Sequence, residues 1–379
     1  MHASNRAMGG VAGVIETNDD AQASKLACVR LGYFRDDFVH HFVKTPVRRA
    51  PLINRGYYSR FAALRKILLD FIKTTSTSSK RQIIVLGAGY DTTFFQLTAE
   101  GTLLEKTNSD STSTLYLELD FQDVTQRKSS AIQRIPALLR TLQGNVDNEE
   151  NGNDKPQAAE INCDNGEVLS SRYSLLPADL RDVGQVEAAL NRAGINYSIP
   201  TFILAECVLV YMHPQQGDDL LRWLGQKFSK TAAAMVLYEQ VNPDDAFGRQ
   251  MMMNLSVRGC PLLGIVPTLE AHTERFLKAG WGRAEAKTMN EIYKSCLDPN
   301  DVHRIQKLEI FDEFEEWNLI QEHYCITVGV IDNNNDDDED GKGCGGGGGV
   351  LKEFGLHKAK DPRIAALEAV LAAKRVAGS

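Results

Sequence analysis

Residues 81–95, RQIIVLGAGYDTTFF, decide the fold. The stretch opens with the apolar, mostly β-branched run Ile83-Ile84-Val85-Leu86 and breaks on Gly87-Ala88-Gly89. After Asp91-Thr92-Thr93 it resumes with Phe94, Phe95 and Leu97 at helical spacing. This reads as a buried strand, a tight glycine turn, and a helix capped by Asp91 or Thr92. Glycines at such a turn let the backbone pass close to a ligand, and the helix N-terminus offers unpaired N–H groups. A nucleotide-like cofactor is the usual occupant of that crevice. The pattern is G-x-G-x-x-T and lacks the third glycine of the dinucleotide fingerprint. Taken alone it also fits a plain strand–helix turn.

Working outward, strands and helices alternate. Upstream, residues 21–42 carry two helical patterns broken near Gly32. Lys25 lies on the first, and Tyr33, Phe34, Phe38 and Phe42 lie on the second. A basic, proline-bounded loop follows over 44–51, then a turn at Gly56 and a helix over 58–72. Downstream, a strand over 115–120 ends in Asp120, one over 173–176 leads to Asp179-Leu180, and an apolar one over 201–205 runs into Glu206. Further strands are expected over 233–240, 285–288 and 324–330, with helices between. The alternation predicts an open α/β sheet, largely parallel, with helices on both faces. Ligands in such sheets bind beyond the carboxyl ends of the strands. Gly87, Asp120, Asp179 and Glu206 are therefore the candidate contacts, and a glycine turn followed by three strand-end acids is hard to ascribe to chance.

The chain has 379 residues, 43% hydrophobic and 24% charged, which is ordinary for a globular protein. No apolar run approaches the ~18 residues of a membrane span. Its seven cysteines, Cys28, Cys163, Cys207, Cys260, Cys296, Cys325 and Cys344, are scattered, odd in number and form no C-x-x-C. They read as reduced thiols of a cytoplasmic protein, with no zinc or other metal site. The net charge of −8 argues against a nucleic-acid partner. Residues 332–349, DNNNDDDEDGKGCGGGGG, hold six acids and one lysine and so supply −5 of that charge. A calcium loop starting at Asp336 would need glutamate at its twelfth position, where Gly347 stands. The run is read as a flexible loop. The expected organisation is a disordered lead-in over 1–20, one domain over 21–331 with N-terminal helices over 21–73 and an insertion at about 144–168, the acidic loop, and a tail over 350–379. Ile364, Leu367, Val370 and Leu371 give that tail a short amphipathic helix.

Several segments together resemble the leucine carboxyl methyltransferase family: HHFV, PLINRGYYSR, VLGAGYDTTFFQL, ELDF, ADLRD, FILAECVLVYM, YEQVNPDDAFGRQM and HYCITVGV. The resemblance runs from about residue 25 to 330. It implies a Rossmann-like class I S-adenosylmethionine-dependent methyltransferase sheet with extra N-terminal helices and added helical elements. It also implies a monomer that esterifies the C-terminal leucine carboxylate of the type 2A protein phosphatase catalytic subunit. By position in those motifs, Gly87 would line the methionine portion of S-adenosylmethionine, Asp120 would bind the ribose hydroxyls, and Asp179 and Leu180 would flank the adenine. Glu206 would contact the methionine amino group, Arg55 in NRGY would pair with the cofactor carboxylate, Lys25 would match a cofactor-contacting family lysine, and Tyr211 would line the pocket for the target leucine.

The chemistry agrees with such a site. A carboxylate, with an unperturbed pKa of about 3.5, is already ionised near pH 7 and needs no general base. His40, His41 and His213 therefore read as structural or peptide-contacting. Arg55, Lys25 and a tyrosine hydroxyl are the candidates to orient the nucleophile. Three rival readings are a carboxyl methyltransferase acting on a modified tRNA base, a nicotinamide-dependent dehydrogenase on the same sheet, and a non-catalytic binder of the phosphatase tail, which the retained cofactor acids oppose. The first is disfavoured by the acidic charge and by the lack of a repeat domain after Val330. The second is disfavoured by the missing third glycine and by Asp91 just after the turn.

Overall fold

A computed structural model describes residues 2–103, 105–106, 111–143, 159–332 and 349–359. Ten strands form one sheet: β1 (Lys80–Leu86), β2 (Glu105–Lys106), β3 (Ser111–Asp120), β4 (Glu160–Asn162), β5 (Glu167–Leu169), β6 (Tyr173–Pro177), β7 (Thr201–Glu206), β8 (Ala232–Gln240), β9 (Arg283–Thr288) and β10 (Tyr324–Asp332). Their order is β4-β5-β6-β3-β1-β7-β8-β10-β9, with β2 paired to β3 off that path. From β6 through β8 every pairing is parallel, whereas β10 is antiparallel to both β8 and β9. This is the class I methyltransferase sheet that the resemblance implies. All seven strands expected from the sequence are present. β2, β4 and β5 are additions, the last two forming a hairpin inside the segment expected to be a bare insertion.

The central strand divides the core by simple alternation. Ile83 and Val85 point to the face where Phe71, Phe94 and Phe202 are buried. Ile84 and Leu86 point to the face of Leu117, Leu119, Leu220 and Leu224. β1 is paired on both sides, so its residues after Lys80 are buried throughout, and each apolar side chain there contributes about 1.5–3 kcal/mol. That explains why the strand reads as a continuous apolar run.

The helices that matter to the site are α1 (His2–Arg30) and α2 (Pro51–Thr74). Both differ from the sequence reading. The lead-in expected to be disordered over 1–20 continues the same helix as Lys25, and its later turns have a surface to cover, as described below. Gly32, at φ +81°, ends that segment. The second expected helix is reduced to a short turn, Val39–His41, because the Asp36 carboxylate accepts the N–H groups of Phe38 (2.9 Å) and Val39 (3.0 Å). α2 starts at Pro51, whose missing N–H costs nothing at a first helical position. Gly56 therefore lies inside the helix and marks no turn.

The acidic run lies outside the described residues from 333 to 348, as does the expected amphipathic helix of the tail. The chain between them is well anchored. Leu351, Phe354 and Leu356 are buried in the main core, and Phe354 meets Phe71 edge to face. Arg283 donates to the carbonyls of Leu351 and Phe354, both at 2.6 Å, and Glu285 accepts the N–H of Leu356 at 2.6 Å.

Candidate active site

The carboxyl ends of β1, β3, β6 and β7 border a cavity of about 1010 Å³. After β1 the chain folds back so that the N–H groups of Gly87 (2.8 Å) and Ala88 (3.1 Å) donate to the carbonyl of Leu119. Gly87 and Gly89 have φ of +66° and +53°, the left-handed region. A Cβ on Gly87 would lie 2.6 Å from a Val208 methyl, so the turn admits only glycine there. Asp120, closing β3, accepts from the N–H of Gly89 (2.6 Å) and of Phe121 (2.7 Å). Burial pushes its carboxyl up to about 6, with the two N–H groups pulling the other way. Asp179 and Leu180 line the next stretch of wall. Burial raises the Asp179 carboxyl, but hydrogen bonds from Arg181 (2.6 and 2.8 Å) overcome this and hold it below the ordinary range.

Beyond β7, Glu206 is bonded to the Arg60 guanidinium, which also lies 4.8 Å from the ring centre of Tyr238. Cys207 has φ +55°, an uncommon conformation for a residue with a side chain, and its N–H donates to Tyr238 at 2.7 Å. This turn swings the chain into the short helical turn Leu209–Tyr211, which is held from below by Glu239, whose carboxylate accepts the Val210 N–H at 2.8 Å. Burial pushes the Glu239 carboxyl up to about 7, against the pull of Arg275. Tyr211 lines the cavity, and burial raises its hydroxyl so that it stays protonated.

The cavity thus gathers Gly87, Asp120, Asp179, Leu180, Glu206 and Tyr211. Two other expected contacts are elsewhere. Arg55 does not line the cavity; its buried guanidinium sits 3.6 Å over the Phe311 ring. The cause is helical phase. Ile53, Gly56, Tyr57 and Arg60 line the cavity at i, i+3, i+4 and i+7 of α2, and Arg55 is about 140° away from Arg60 around the axis at 3.6 residues per turn. Lys25 is also off the lining. Its ammonium is buried against Asp36 (2.9 Å), Asp91 (3.3 Å) and the Thr92 hydroxyl (2.6 Å), clamping α1 to the glycine turn. Burial works to neutralise it, but the two carboxylates prevail and keep it charged.

Two features of the site were missed. One is Arg60, the last residue of NRGYYSR, recognisable once α2 is started at Pro51. The other is the cover: Val14, Thr17, Asn18 and Ala21 of α1 line the cavity at helical spacing. The closeness of the fit is measurable. A Cβ on Gly13 would lie 2.3 Å from the Gly259 carbonyl, and one on Gly89 would lie 2.4 Å from the Asn18 amide oxygen. Among the described residues no group of three or more His, Cys, Asp or Glu side chains could hold a metal ion.

The family model described as leucine carboxyl methyltransferase matches residues 14–225, more than half of the chain. The chain belongs to the leucine carboxyl methyltransferase family. Within that family, the leucine carboxyl methyltransferase 1 homolog of Arabidopsis thaliana is 49% identical over 323 residues, covering 85% of this chain and 90% of the relative. Leucine carboxyl methyltransferase 1 of Rattus norvegicus is 38% identical, covering 83% and 88%. The tRNA wybutosine-synthesizing protein 4 of the same animal is 37% identical, but the match covers 43% of that longer protein. The family is one of methyltransferases, and S-adenosylmethionine is the cofactor its cavity suits. The lining combines a glycine turn free of Cβ, a buried strand-end carboxylate, the apolar Ala178 and Leu180, and a paired glutamate and arginine.

Proposed function

We propose that this chain is an S-adenosylmethionine-dependent protein carboxyl methyltransferase that esterifies the C-terminal leucine carboxylate of the type 2A phosphatase catalytic subunit. The observation that carries the reading is that one cavity holds two chemistries. Its lining includes Asp120, Asp179 and the Arg60–Glu206 pair, and also Tyr211, Leu255, Leu263 and Ile320. The polar set matches an adenosyl amino acid, and the apolar set matches a leucine side chain.

When bound, S-adenosylmethionine supplies a methyl made electrophilic by its sulfonium. The protein's own residues bind and orient. Asp120 is the acceptor for the ribose hydroxyls, and Asp179 with Leu180 flanks the adenine. Glu206 faces the ammonium of the amino-acid end and Arg60 its carboxylate, taking the part first expected of Arg55, because a guanidinium fits a carboxylate in two-pronged fashion. Lys25 holds α1 in place over the site and contacts no ligand. Tyr211, kept protonated, is a hydrogen-bond donor toward the substrate side. No described residue lining the cavity is a histidine, in keeping with a nucleophile that is ionised before it arrives. What the site then contributes is alignment and exclusion of water. A cytoplasmic location is part of this reading, supported by the reduced-thiol pattern; among the described residues no helix is long and apolar enough to cross a membrane.

The test is transfer of a labelled methyl from S-adenosylmethionine to purified phosphatase catalytic subunit, beside a version lacking the last leucine and beside tRNA. Base-labile label on the intact subunit alone is expected. Label on the truncated subunit or on tRNA would displace the reading.

A further inference from the structure

Three arginines line the cavity: Arg60, Arg181 and Arg258. Two of them are spent on carboxylates, Arg60 on Glu206 and Arg181 on Asp179. Arg258 has no acid partner among the described residues and is exposed to the cavity and to solvent. Five acids share the lining, Glu16, Asp20, Asp120, Asp179 and Glu206. Asp20 is paired in turn with Arg49 outside the lining, so the lining and that partner together stand at −1, a field that disfavours an anion. A substrate whose reacting group is a carboxylate has to enter against that field, and Arg258 is the remaining cation of the described lining able to receive it.

The position of Arg258 is fixed from two sides. It caps the C-terminus of the helix Ala246–Val257, its own N–H bonded to the carbonyls of Asn254 and Ser256. The next residue, Gly259, has φ +78° and is the one whose carbonyl touches Gly13 of α1. Cys260 and Leu263, two and five positions after Arg258, line the same cavity as Tyr211. Arg258 thus lines the same cavity as Tyr211, Leu255 and Leu263.

We propose that Arg258 is the substrate-carboxylate contact, reading the free terminal carboxylate of the incoming leucine; the inference rests on the proposed function and deepens it. An exposed guanidinium suits the task. In partly solvated surroundings it attracts and orients the carboxylate without holding it so tightly that its nucleophilicity is lost. It also supplies a criterion that an apolar pocket lacks: a terminal amide, isosteric but uncharged, gains nothing from Arg258.

The experiment measures binding of the full-length protein, with S-adenosylhomocysteine present, to phosphatase catalytic subunit ending either in leucine carboxylate or in leucine carboxamide. The unaltered protein is expected to prefer the carboxylate by about tenfold, the scale of one charge-assisted contact. Arg258→Ala is expected to bind both forms alike, at the level of the amide, and Arg258→Lys to restore part of the preference. Cofactor affinity should be the same in all three. An unaltered protein without preference, or an Arg258→Ala protein that keeps it in full, overturns the inference. If the unaltered protein transfers no methyl to the carboxylate form, the proposed function itself falls, and the inference falls with it.

Discussion

The strand-end wall of the cavity and the helical cover opposite it bring residues to the ligand in different ways. On the strand-end wall, Gly87, Asp120, Asp179 and Glu206 occupy places set by where apolar strands stop, and parallel register aligns those stops along one edge. On the cover, Arg60 and the α1 residues face the cavity only because two helices begin where they do and keep their phase. A strand end is a local event, whereas a helix face depends on a starting point up to ten residues away. The difference teaches that the first wall can be read from strand ends alone and the second cannot: Arg55, expected from the NRGY motif, and Arg60, five residues on, fall on different sides of α2, and of the two Arg60 lines the cavity.

Mutations that separate the two regions would break or sharpen this contrast. The largest effect is expected at the clamp joining them. Lys25→Ala leaves the buried Asp36 carboxylate and its neighbour Asp91 without their cation, which should cost about 3–5 kcal/mol of stability in a denaturant titration. A loss below 1 kcal/mol would mean that α1 is held by something else.

Next comes the strand-end wall. Asp120→Ala should weaken S-adenosylmethionine binding by about a hundredfold in calorimetric titration, since two charge-assisted hydrogen bonds are lost. The same group predicts a pH effect. Because burial raises its pKa to about 6, the free protein takes up a proton there as pH falls, and that proton must leave before the carboxylate can accept from hydroxyls. Cofactor affinity should therefore be constant above about pH 7 and fall below pH 6, by at most about tenfold per pH unit. In Asp120→Asn this dependence should disappear.

The cover is tested by a pair of substitutions on one helix. Arg60→Ala should reduce cofactor affinity by about tenfold. Arg55→Ala should leave it unchanged while lowering stability by about 2 kcal/mol, through loss of the buried cation–π contact with Phe311. Equal loss of affinity in both variants would invalidate the helical phase. The smallest effect is expected at Tyr211→Phe, which should lower kcat/KM for the phosphatase by about threefold to tenfold, the worth of one hydrogen bond, with the cofactor dissociation constant unmoved.

Much of this architecture was legible in the residues themselves. The central strands, above all Ile83–Leu86 and Thr201–Ala205, announced themselves as apolar runs because strands covered on both faces have to be apolar throughout. Asp120, Asp179 and Glu206 could be located because each closes or closely follows such a strand. β4 and β5 escaped notice because each is three residues long, too short to display a period. The first turns of α1 escaped because their pattern is small and polar, GVAGVIETNDDAQAS, and has meaning only against the surface they cover. Small residues there permit the close approach of Gly13 to Gly259. Lys25 was expected to contact the cofactor; the structure shows it as a buried counter-ion to Asp36 and Asp91.

The chain leaves the sheet after Asp332, and Gly349 lies beside that same point. The Asp332 carboxylate accepts the N–H of Leu351 at 3.1 Å, and a Cβ added to Gly349 would fall 2.1 Å from that same carboxylate. Whatever lies between departs from and returns to one spot. Its length is therefore uncoupled from the rest of the molecule, since doubling a closed segment costs only about 0.6 kcal/mol. For anyone wishing to graft a fluorescent reporter or an affinity handle onto this protein, that junction is a ready-made splice point, remote in sequence from the residues that line the cavity.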